Sequence, residues 1–183
     1  MKKEIPDSAY NYFINIFDDL KTNSKILASD AFIQHGDTSV LMHSIMVAYF
    51  SYCFALKHHN SKHNGSPDSI SSHYNELIRG ALLHDYFLYD WHVPSKSHNL
   101  HGFKHPGFAC KNAERDIKDI TLIEENIIKR HMFPLTPIPP ACKEAWVVCL
   151  VDKLCSTYET FTLEKHFHIY DHVKNKLQLN NHV

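Results

Sequence analysis

Apolar residues recur along this chain at spacings of three and four, the mark of helices that each bury one face. Ala9, Phe13, Ile16, Phe17 and Leu20 line one side of a first helix, with Asp7 or Ser8 placed to cap it. A short second helix over about residues 24–34 stops near Gly36. Asp37, Thr38 or Ser39 can cap a third, which runs to about Lys57 with His43, Val47, Phe50 and Phe54 on one face. The polar stretch 57–68, with Gly65 and Pro67, predicts a loop. A fourth helix covers about 70–86. Periodicity then fails over 87–104, a connection long enough to invite a functional reading. Pro106 favours a first helical position, which puts His105 at an N-cap of a fifth helix ending near Ile117. A sixth covers about 122–131. The prolines at 134, 137, 139 and 140 make a stiff connector, a seventh helix covers 141–161, and an eighth covers about 163–179. No sustained alternation predicts a strand. The expectation is an all-α helical bundle of seven or eight helices, a single domain over 1–183.

Certain polar residues interrupt these apolar stripes. Leu77, Ala81 and His84 stand at i, i+4 and i+7, so His84 closes a buried stripe, and Asp85 follows at the same helix end. Asp152 lies mid-helix among Val148, Cys155 and Glu159, where an unpaired carboxylate is costly. His43, His105 and His131 each fall at or near a helix end beside apolar neighbours. The pattern therefore turns four imidazoles and two carboxylates toward one core. Such donors suit zinc, iron, manganese and similar ions, and none is a thiolate. Six ligands exceed what one tetrahedral zinc needs, and with Asp85 bridging they can hold two ions.

Composition narrows the classes. With 183 residues the chain is long enough for one well-packed domain and short for two. Its net charge of −1, with histidines neutral, argues against binding duplex nucleic acid or a membrane surface by bulk charge. Five cysteines without a Cys-x-x-Cys pair suit a reducing compartment. The N-terminal lysines lack an apolar region behind them, and the longest uninterrupted apolar run, residues 145–151, is too short for a bilayer. The expectation is a cytoplasmic protein.

The order His43, His84-Asp85, His105, His131, Asp152 on a helical chain resembles the HD-domain superfamily of metal-dependent phosphohydrolases. The matching stretch runs from His43 to Asp152, so the metal-site core is expected over about 36–160. The resemblance implies His43, His84, Asp85 and Asp152 as the shared ligands, with His105 and His131 as the extra pair of dinuclear members. It implies two divalent ions per chain, among iron, manganese, zinc, cobalt and nickel. The implied reaction is cleavage of a phosphomonoester or phosphodiester, of a nucleotide above all, by metal-activated hydroxide, with Asp85 in a catalytic role. A non-haem diiron oxygenase of the same type and a non-catalytic metal-binding regulatory module are the alternatives. One departure stands out: where many members carry Lys or Glu shortly after His-Asp, this chain has Tyr86, Phe87, Leu88 and Tyr89.

Further candidates surround the ligands. Lys104, Arg130 and Lys153 each adjoin one in sequence and are expected to contact phosphate, Lys104 foremost because it falls in the long loop. His101 is a candidate donor to the leaving group, and His35 faces the site from the loop ahead of His43. Tyr86, Tyr89 and Trp91 suit core and rim packing, or a stacked base at the pocket mouth. Glu164, His168 and His172 form a row at helical spacing that reads as solvated surface. The expected partner is a small phosphate ester, with neither duplex nucleic acid nor membrane, and a homo-oligomer is compatible.

Overall fold

The structure, a computed structural model, describes residues 6–62, 73–94 and 99–161, with the side chains of 59–62 outside the description. The eighth helix, the 164/168/172 row and the second half of the expected 57–68 loop lie outside the described residues. Among those described there are six α-helices, one short 3-10 helix and one two-stranded sheet around a single hydrophobic core. The all-α expectation holds.

Helix α1 (Asp7–Asn23) buries Tyr10, Phe13, Ile16, Phe17 and Leu20, the stripe that the spacing requires. Asp7 and Ser8 do not cap it: Pro6 takes that position, and the helix starts on Asp7. The second predicted helix shrinks to the 3-10 turn Ile26–Ala31. Strands β1 (Ile33–His35) and β2 (Thr38–Ser39) then pair antiparallel, Ile33 with Ser39 and His35 with Thr38. This corrects the strand-free expectation. A ladder of three and two residues is too short to show alternation. Its turn passes through Gly36 at φ +57°, a conformation that favours glycine, and a Cβ there would meet the Glu159 carbonyl at 3.1 Å.

Helix α2 (Val40–Lys62) starts on a Ser39 cap, whose Oγ accepts the Met42 N–H at 3.2 Å. It continues five residues past the expected end at Lys57. Phe54 does not join the buried face with His43 and Val47 but is exposed. Its stretch Val40–His58 is long and apolar enough to cross a bilayer, a feature that counting uninterrupted runs overlooks. That stretch is 72% buried inside the fold, so the core accounts for its apolarity. Helix α3 (Tyr74–Leu83) packs against α2 and ends at His84.

Helix α4 (His101–Asp116) begins a turn before the expected start, behind Leu100 in a left-handed conformation at φ 58°. Pro106 therefore sits inside it, and His105 belongs to the helix proper rather than to an N-cap. Helix α5 (Leu122–Arg130) opens with a capping box. The Glu124 N–H donates to Thr121 Oγ1 at 3.2 Å, and the Thr121 N–H donates to Glu124 Oε2 at 2.7 Å. It ends on His131. Helix α6 (Lys143–Phe161) runs past α2 and α5 and turns Val148, Cys149, Asp152 and Cys155 inward.

Candidate metal centre

Asp85 lies at the centre of six converging side chains. Its residue is 2% exposed, beside His43 and His84 at 0%, His131 at 1%, His105 at 3% and Asp152 at 6%. Oxygen Oδ2 stands 3.4 Å from His84 Nε2 and 3.8 Å from His43 Nε2. Oxygen Oδ1 stands 3.1 Å from His105 Nε2 and 3.5 Å from His131 Nε2. Asp152 Oδ1 joins the first side, 3.1 Å from His43 Nε2 and 3.7 Å from His84 Nε2. Five elements supply these groups: α2, the end of α3, the start of α4, the end of α5 and the middle of α6.

The outer nitrogens of the four rings are all engaged. His84 Nδ1 lies 2.7 Å from the Ala81 carbonyl, His105 Nδ1 3.0 Å from that of His101, and His131 Nδ1 2.8 Å from that of Ile128. His43 Nδ1 lies 2.8 Å from Glu159 Oε2. A carbonyl or carboxylate can only accept, so each Nδ1 donates and each Nε2 faces the centre. This is the arrangement that orients metal-bound imidazoles. His105 Nε2 and His131 Nε2 come within 2.8 Å of each other, and two facing lone pairs need a proton or a cation between them. Among the described residues, the buried His84 Nε2 and Asp85 Oδ1 have no hydrogen-bond partner. Two triplets of donor atoms lie close enough to share an ion: His43, His84 and Asp152, and His84, Asp85 and His131. These buried groups can hold a metal ion.

The electrostatics agree. Burial opposes a charge on Asp85, yet the imidazoles of His84, His105 and His131 hold its carboxyl well below the ordinary range. Burial likewise opposes a charge on Asp152, and His43 and His84 overcome it. His43 is raised against its own burial by Asp152 and Glu159, whereas burial, with His84 and His105 nearby, pushes His131 down to about 3. Carboxylates that stay ionised in a buried site draw a cation to it.

A cavity of about 870 Å³ opens over the cluster. His35, His101 and Lys153 line it, as the sequence pattern suggests, and so does Trp91. Lys104 and Arg130 do not line it. Lys104 lies on α4 rather than in the long loop, exposed, with Nζ bonded to Asn99. Adjacency to a ligand is no guide on a helix, where neighbouring side chains diverge by about 100°. Lys153 reaches the cavity wall but donates to the carbonyls of His131 at 2.8 Å and Cys149 at 3.2 Å, and to Cys149 Sγ at 3.3 Å. Tyr86 is core: its hydroxyl accepts the Lys25 N–H at 2.7 Å and donates to Asp116 at 2.7 Å.

Two residues escaped the sequence pattern. Gln34, on β1 and 7% exposed, donates to Asp85 Oδ2 at 2.5 Å, while its Oε1 has no partner. Glu159 lies one face-repeat beyond Asp152, so its inward position was readable, but its pairing with His43 across 116 positions was not.

Comparisons with protein families, with curated proteins and with solved structures find no match to this chain.

Proposed function

We propose that this chain is a metal-dependent phosphohydrolase of the HD type, binding two divalent ions and cleaving a phosphomonoester or phosphodiester, with nucleotides as the leading substrates. One observation carries the reading: Asp85 directs one oxygen to His43 and His84, beside Asp152, and the other to His105 and His131. A single carboxylate shared by two donor sets is how a protein holds two ions close together.

Divalent ions bound there would supply Lewis acidity to phosphoryl oxygens and lower the pKa of a coordinated water. The chain's own residues set the rest. Asp85 fixes the separation of the two donor sets. Gln34 holds Asp85 in orientation through its amide N–H. Tyr89 Oη lies 3.0 Å from His101 Nδ1, and burial together with Asp85 pushes the phenol up to about 12. His101 lines the cavity, and we assign it a hydrogen bond to the leaving-group oxygen. Lys153 braces His131 against α6 and does not serve as a free phosphate ligand. The expected setting is cytoplasmic.

The test is anaerobic incubation of metal-loaded protein with nucleoside monophosphates, cyclic nucleotides and simple phosphate esters. Turnover without oxygen is expected, with manganese or cobalt replacing iron. Absence of phosphate release on every ester, together with oxygen uptake on a polyol or phosphonate, would transfer the chain to the diiron oxygenases.

A further inference from the structure

The cavity over the cluster is chemically divided. Its floor is the His/Asp set, and its outer wall is Trp91, Met132, Pro134 and Leu135. Trp91 is braced by His101, their rings stacked at 5.0 Å and 13°. Leu135 lies over the first turn of α4, where Gly102 leaves room for it: a Cβ on Gly102 would come within 2.9 Å of Leu135 Cδ2. Among the described lining residues Lys153 is the one Lys or Arg side chain, and an ammonium has three N–H groups to give. All three have acceptors, on His131 and Cys149. Among the described residues the wall thus offers apolar surface and no uncommitted Lys or Arg.

We infer that the substrate carries its negative charge on a single phosphate group seated at the His/Asp cluster, and that its leaving group is uncharged and flat or apolar. This rests on the phosphohydrolase reading and narrows it. A mononucleotide or an aryl phosphate fits, whereas a polyphosphate chain would lay further negative charge along an apolar wall. The same distribution lets the wall contribute binding by burying apolar area while the phosphate is held at the floor.

Three phosphonates, which have no scissile ester bond, test this by calorimetric titration of the manganese-loaded protein: methylphosphonate, phenylphosphonate and 4-carboxyphenylphosphonate. Phenylphosphonate should bind at least about tenfold more tightly than methylphosphonate, from burial of the ring. The added carboxylate should remove most of that gain, because an apolar wall does not repay the cost of desolvating a charge. Leu135→Ala should weaken phenylphosphonate about fivefold and leave methylphosphonate unchanged. Tighter binding of the carboxylated probe, or equal binding of the methyl and phenyl probes, would overturn the inference and spare the phosphohydrolase reading. Failure of all three to bind would overturn both.

Discussion

The two sides of Asp85 are built differently. On the Oδ2 side, His43, His84 and Asp152 come from α2, α3 and α6. Side chains support this side except at His84, which rests on the Ala81 carbonyl: Glu159 on His43, Gln34 on Asp85 Oδ2, and Ser156, which donates to Asp152 at 3.3 Å. On the Oδ1 side, His105 and His131 come from the first turns of α4 and the last residue after α5, at the cavity floor. Their outer nitrogens meet backbone carbonyls only. Neither His43 nor His84 lines the cavity, whereas both His105 and His131 do, which makes the first the core side and the second the rim side. An ion on the rim side should therefore exchange faster and come off without unfolding the chain.

The largest break in this comparison is Asp152→Ala. It removes a carboxylate that only the core side uses and leaves His43 and His84 facing a void. Loss of measurable turnover and of at least one ion per chain is expected by activity assay and elemental analysis. Rim-side occupancy surviving with full activity would contradict the assignment.

Stripping metal with a chelator comes next. Each ion, at a free concentration 100 times its Kd, stabilises the native state by about 2.7 kcal/mol, so each one removed lowers Tm by roughly 5–10 °C. An unmoved Tm with all metal gone would mean that the buried carboxylates do not depend on it.

A sharper probe of the core side is Glu159→Gln. The amide keeps the shape but loses the charge behind His43, and outer-shell changes of this kind cost about 10–100-fold in metal affinity. Competition with a metal-sensitive dye should show one weakened ion and one unchanged. Lys104→Ala should do least, altering kcat and KM by less than about twofold, since its amine lies outside the cavity.

The six converging residues were legible because each is a polar side chain closing or interrupting an apolar helical face. Asp152 in the middle of α6 and His84 at the end of the Leu77–Ala81 stripe are the plainest cases. Gln34 was not legible. It sits on a three-residue strand that no period reveals, and its position depends on the left-handed turn at Gly36 fitting under α6. The start of α4 was misplaced because Pro106 suits a first helical position, while the chain enters the helix five residues earlier through Leu100. The same error put Lys104 in a loop and made it a phosphate ligand. Local pattern gives which residues face inward. It does not give which cation, one residue along, shares that direction.

Metal counting on the wild type and on the His105→Ala/His131→Ala double variant, both purified without chelator, tests the central claim most directly. The two-sided arrangement around Asp85 predicts about two ions per chain in the wild type, and one in the variant with its fold retained by circular dichroism. A wild-type value near one that the double replacement leaves unchanged would contradict it.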